Sequence, residues 1–261
     1  MARFLLECTR LNLLIPWRHL VDAVGFYIFT IFLFVGIAQV LTATVPAEDR
    51  TATVGMTLIS YLFWLLYVAT SHSTGMNISS HATQGLLERE LVNPFGHLAT
   101  ILVWIGARYL SWLPSFFPIL FGLAALYGVD VWTPLPALLL VMMIALPFLI
   151  GLGLIYAGLA FVYRHVSSVI GMLQFILFSA ALGTHLPAGD RLEPVLTWFP
   201  YTQAIRLLSG VVVDKKSFSW LIAPEQIVPY VVTSVAVLVL GVVVFVRLDE
   251  VAVRRGTLGQ A

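Results

Sequence analysis

The sequence predicts an all-α integral membrane protein of six transmembrane helices, with an N-terminal interfacial helix and short re-entrant helices before the last span. Three observations carry that expectation. Of 261 residues, 60% are hydrophobic and 10% charged, with mean hydropathy +0.96; soluble domains carry about 25% charged residues. Apolar runs near the ~20 residues needed to cross a bilayer recur along the chain. The charges gather in the connections between those runs.

Residues 1–19 read as a helix lying in the interface. Arg3, Glu7 and Arg10 share one face, Phe4, Leu6, Leu11, Leu13 and Leu14 fill the rest, and Trp17-Arg18-His19 suits the headgroup level. Charges at Arg3, Glu7, Arg10 and Arg18, and the length of the following apolar run, do not fit a cleaved leader. Spans are expected at 21–41 and 54–73, joined by the polar turn Pro46–Arg50. The third is expected at 110–128. An arginine at mid-bilayer costs about 3 kcal/mol, so Arg108 belongs at the cytoplasmic interface and Gly96–Arg108 lies along it. Pro114 and Pro118 are expected to kink the third span.

After the outer turn Asp130–Pro134, spans are expected at 137–162, kinked at Pro147, and at 166–186 beyond the turn Tyr163-Arg164-His165. In the outer region 187–224, Val195–Tyr201 and Ala204–Val213 are apolar but too short to cross. They read either as short helices dipping into the outer leaflet or as a loop folded over the outer face. The last span is expected at 225–246, with a cytoplasmic tail at 247–261.

Arginine and lysine placement sets the orientation. With both termini inside, Arg3, Arg10, Arg18, Arg89, Arg108, Arg164, Arg247, Arg254 and Arg255 are cytoplasmic; Arg50, Arg191, Arg206, Lys215 and Lys216 are outside. Nine against five favours a multi-pass protein of the plasma (inner) membrane with both termini cytoplasmic. Residues 74–97 then form a cytoplasmic loop holding the charged island Gln84–Pro94. Glu88, Arg89 and Glu90 exclude it from hydrocarbon. By spacing it is either an amphipathic helix, with Leu86, Leu87 and Leu91 on one stripe, or a solvated loop with a helical turn.

Gly85-Leu86-Leu87-Glu88, then Leu91 and Pro94, resembles the loop after the second span in ABC transporter permeases of the type-2 export family. Leu86 stands where that family usually has threonine. Gly158–Arg164 resembles the end of the family's fourth span, Phe199–Leu208 its segment before the last span, and Arg254–Gly259 its tail. The resemblance implies an elbow helix at the N-terminus and a coupling helix at Gly85–Pro94. A separate ABC ATPase subunit would dock on Gly85, Leu86, Leu87, Glu88, Leu91 and Pro94 and on Arg3, Glu7 and Arg10. It further implies a second permease copy, identical or related, forming the path, and ATP and Mg bound by the partner rather than by this chain.

The chemistry absent from the sequence narrows the alternatives. No G-x-x-x-x-G-K-[ST], H-E-x-x-H or G-x-S-x-G occurs, so no ATPase, zinc-protease or serine-hydrolase signature supports an enzyme. No cofactor or metal is expected in the chain, and no basic run points to nucleic acid. One cysteine, Cys8, allows no intrachain disulfide. Gly151-Leu152-Gly153 suits close helix packing. The polar and aromatic residues available to line a path are Tyr27, Gln39, Ser60, Tyr61, Tyr67, Gln174, Phe199 and Tyr201, with Tyr156 among the span tyrosines. An aromatic, charge-poor lining suits an amphiphile: a drug, a lipid or a lipid-linked glycan. The alternative is a secondary transporter or channel without an ATPase, which ionisable residues inside spans would favour.

Overall fold

The computed structural model describes residues 20–83, 96–163, 166–183 and 198–255. Among them the secondary structure is entirely helical: α1 (Leu20–Ala43), α2 (Arg50–Tyr67), α3 (Ser73–Thr83), α4 (Gly96–Tyr127), α5 (Leu135–Val162), α6 (Ser167–Gly183), α7 (Pro200–Val212), α8 (Phe218–Leu221) and α9 (Pro224–Arg255). Five helical stretches are long and apolar enough to cross a membrane: Val24–Ala43, Ala47–Ser80, Gly96–Tyr127, Leu135–Val162 and Pro224–Arg254. The protein is therefore membrane-embedded and multi-pass. α6 is apolar but, at 17 residues, rises only about 25 Å.

α2 is the hub. It packs on α1, α4, α6 and α7, and nearly all of its side chains from Val54 to Tyr67 are buried. The Tyr61 hydroxyl donates to the Thr30 carbonyl of α1 (2.8 Å), and Phe34 of α1 meets the Tyr61 and Tyr127 rings. The outer face of α1 exposes Ile28, Phe29 and Phe32, as a lipid-facing helix does when tails replace water.

α5 forms the second axis, and its interface with α9 is the most extensive in the fold. Glycines make that contact possible. A Cβ on Gly151 would fall 2.7 Å from the Val237 carbonyl carbon, and one on Gly241 would fall 2.6 Å from the Gly151 Cα. Gly153 is equally tight against α4, where an added Cβ would meet Ile105 Cδ1 at 2.7 Å. The close-packing role expected for Gly151 and Gly153 is what the fold uses them for. Around the same helix, the Tyr109 hydroxyl of α4 donates to the Met142 carbonyl (2.7 Å) and the Tyr230 hydroxyl of α9 to the Val141 carbonyl (3.0 Å).

Helix ends differ from the expected span ends in three places. The second helical stretch does not stop at Ser73; one π-helical turn, Val68–His72, carries it into α3. α4 runs unbroken from Gly96 through Arg108, with Pro114 and Pro118 inside it. α9 continues beyond Val246 to Arg255. The reason is common to all three. Apolarity marks where lipid lies, whereas a helix ends where its hydrogen bonding fails, and no glycine or proline intervenes between Val246 and Arg255. α4 does end at such a signal: Gly128 (φ 69°) takes the left-handed conformation, and the Val129 N–H donates back to the Ala124 carbonyl (2.9 Å).

Candidate functional site

The candidate site lies where α2, α5 and α7 meet. Ser60, Trp64, Tyr67 and Ser71 recur at three- and four-residue spacing, so they share one side of the helix. The Tyr67 and Tyr156 hydroxyls are 2.7 Å apart and buried. One turn on, the Ser71 hydroxyl donates to the Leu149 carbonyl of α5 (2.7 Å). Trp64 turns toward α6, its ring 4.8 Å from that of Phe178.

α7 closes the site. Pro200 opens it at the first helical position, where no amide proton is needed. Every residue from Pro200 to Val212 except Arg206 is buried, although the helix packs as an amphipathic segment only 13 residues long. Tyr201 is 1% exposed and sits edge-on to Phe63 of α2. Phe199, half-buried, lies between Tyr201 and Phe148 of α5. The Thr233 hydroxyl of α9 donates to Gln203 Oε1 (3.0 Å). α8 folds back on the same helix: Trp220 covers Gly210, and the Lys216 ammonium stands 4.4 Å from the Trp220 ring centre.

Several polar side-chain atoms of the bundle are buried without a hydrogen-bond partner among the described residues: Trp64 Nε1, His72 Nδ1, the Tyr201 hydroxyl, and Ser209 and Ser234 Oγ. A buried donor left unpaired is costly, so such groups mark places where water or a ligand group completes the bonding.

Of the residues expected to line a path, the structure brings Ser60, Tyr67, Phe199 and Tyr201 to or beside this interior, whereas Tyr61 faces α1 through Thr30 and Phe34. Tyr27 is half-buried at the α1–α4 contact, its hydroxyl 3.5 Å from the Ser115 carbonyl. Gln174 is half-buried on α6. Gln39 is exposed on α1 and takes no part in the α2–α5–α7 interior. The expected ATPase-coupling residues Arg3, Glu7, Arg10, Gly85, Leu86, Leu87, Glu88, Leu91 and Pro94 lie outside the described residues.

Two features escaped sequence reading. His72 falls inside a continuous helical stretch, in the π-turn that joins α2 to α3. At the far end of the bundle, His97 Nδ1 of α4 lies 2.7 Å from Asp249 Oδ1 of α9, with the His97 ring edge-on to Phe161 of α5. That pair joins residues 152 positions apart, and no local motif announces it. Among the described residues, no group of three or more His, Cys, Asp or Glu side chains could hold a metal ion.

The chain matches no protein-family model, no curated protein and no solved structure.

Proposed function

We propose that this chain is the transmembrane subunit of an ATP-driven ABC exporter, forming a translocation path with a second permease copy and drawing energy from a separate ATPase. The observation that carries the reading is the order of elements. Long apolar helices are followed by two short ones, α7 and α8, and then by a final long helix, α9. α7 is too short to cross a bilayer yet buried on nearly every side, as a re-entrant helix covered by protein must be. α6 is the sixth span in this reading. Arg108 lies nineteen residues from Tyr127, about 28 Å of rise, so α4 reaches from the outer boundary to an arginine at the inner one. The interior of aromatic rings and unpaired donors suits an amphiphile carrying hydrogen-bond acceptors.

The deciding experiment is purification of the tagged chain from its native membrane. An ATPase subunit is expected to accompany it, and the chain alone should hydrolyse no ATP, since the sequence has no P-loop. Glu88→Ala is expected to weaken that association by about 1.5–3 kcal/mol if the carboxylate makes a desolvated, charge-assisted contact. Glu48→Ala, in the exposed turn on the opposite side, should leave it unchanged. Equal behaviour of the two variants removes Glu88 from the coupling surface.

One observation favours a second reading. His72 is an ionisable side chain within a candidate span, with one ring nitrogen buried and unpaired, as an ion-coupled secondary transporter would require. Transport by reconstituted chain without any ATPase would decide for it.

A further inference from the structure

Between α2 and α3 the helix makes one π-turn, Val68–His72, and the Ser73 N–H donates to the Thr70 carbonyl and to the Val68 carbonyl five residues back. A π-turn holds one residue more than the α-helix it interrupts, so neighbouring carbonyls lose their regular partners. No water is present in hydrocarbon to replace those partners. Side-chain hydroxyls donate to carbonyls in and just before the turn. Thr70 donates to the Leu66 carbonyl (2.6 Å), Ser73 to Ala69 (2.6 Å) and Thr74 to Thr70 (2.7 Å). Secondary contacts reach the next carbonyl along: Thr70 toward Tyr67 (3.5 Å) and Ser73 toward Thr70 (3.2 Å).

The two sides of the turn are held differently. N-terminal to it, α2 is wedged among four helices. C-terminal to it, α3 lies against α5 and α6, close enough that a Cβ on Gly75 would fall 2.6 Å from Tyr156 Cβ. Two polar contacts to α5 clasp the turn itself, Tyr67–Tyr156 and Ser71–Leu149.

We propose that Val68–His72 is a register joint. The surplus residue moves along the helix, α3 turns on its Gly75 contact with α5 while α2 stays seated, and the hydroxyls of Thr70, Ser73 and Thr74 hold the carbonyls that the shift releases. The hydroxyl run is what allows such a shift inside a membrane, because Thr70 and Ser73 each reach two carbonyls of the preceding turn. The Tyr67 and Ser71 bonds set which register is occupied. The proposal stands on this geometry alone and holds for either reading of the function.

Amide hydrogen exchange on the full chain in lipid nanodiscs tests it. Amides 68–74 should exchange about tenfold faster than amides 58–66 at neighbouring depth. The double variant Tyr67→Phe/Ser71→Ala, which opens the clasp, should speed exchange across 68–80 by a further factor of about three and leave 58–66 unchanged, because only α3 moves. A chain lacking Ala69 loses the surplus residue and should slow 68–74 to the rate of 58–66. Should that deletion fail to give monodisperse protein, the double variant decides alone. Wild-type 68–74 exchanging as slowly as 58–66 overturns the joint. So does clasp removal that leaves 68–80 unchanged, or that speeds 58–66 equally.

Discussion

The two faces of α5 are built on opposite principles. Against α9, Gly151 and Gly241 bring the backbones together with no side chain between them. Against the α2–α3 junction, the turn itself is held by hydroxyls, Tyr67 with Tyr156 and Ser71 with the Leu149 carbonyl, and Gly75 of α3 seats on Tyr156 just beyond it. A backbone-to-backbone contact has one register, because sliding it by a residue drives a larger side chain into the place of a glycine. The Ser71 contact is less exacting, because neighbouring carbonyls along the facing helix are acceptors too. One face is fixed by backbone along its length, the other by side chains at the turn. The difference lies in side-chain chemistry, since both faces belong to the same helix and the same apolar surroundings.

The largest expected effect falls on the static face. Gly151→Val should destabilise the protein by about 3 kcal/mol or more, because overpacking a close contact shifts backbone rather than a flexible side chain. Thermal unfolding in detergent should show a markedly lower midpoint, and Gly241→Val should match it. If either substitution leaves the midpoint unchanged, the backbone contact is not what holds α5 to α9.

A smaller effect is expected on the other face. Tyr67→Phe and Tyr156→Phe should each cost about 0.6–1.7 kcal/mol, the range of interhelical hydrogen bonds in membranes. The double variant should cost little more than either single one, since each already breaks the same bond. Additive losses in that double-mutant cycle would mean that the two phenols act separately, and the contrast between the faces would weaken.

The smallest effect lies outside the bundle, in the turn between α4 and α5. The Thr133 hydroxyl (2.7 Å) and N–H (3.3 Å) and the Trp132 N–H (3.0 Å) all donate to the Asp130 carboxylate. Those donors, led by the Thr133 hydroxyl, hold its pKa below the ordinary carboxylate value. A depressed pKa contributes stability above the unfolded value that is lost as pH falls through the folded one. Asp130→Asn should therefore narrow the stability difference between neutral pH and pH below about 4, read as the unfolding midpoint against pH. An unchanged difference would make the turn's geometry, rather than the carboxylate's charge, responsible for its order.

Particular residues show where sequence reading stopped. The polar run Thr70-Ser71-His72-Ser73-Thr74 looks like the end of a span because five such residues in a row do not suit lipid. Three of the five, Thr70, Ser71 and Thr74, are buried against protein. Thr70 and Ser71 are wholly buried, and their hydroxyls are satisfied by carbonyls of their own helix and of α5. Arg108 set the limit of a span on solvation grounds, yet it leaves the helix itself unbroken. Gly151 and Gly153 were recognisable as packing glycines, whereas their partners Val237, Gly241 and Ile105 come from distant parts of the chain and carry no local mark.

The sequence by itself determined the class: an all-helical, membrane-embedded, multi-pass protein, with turns at Pro46–Arg50 and Asp130–Pro134. Hydropathy acts over one span length and turn residues act over four or five positions, so both are written locally. The tertiary structure alone decided that α2 is the hub, that α7 is buried, that Gln39 faces outward while Tyr201 faces in, and that His97 meets Asp249. Each of those depends on which face of one helix meets which face of another. In an almost uniformly apolar chain the hydrophobic pattern cannot specify that choice, because lipid and protein interior are equally apolar. It falls to glycines and to sparse hydrogen bonds between residues far apart in the chain.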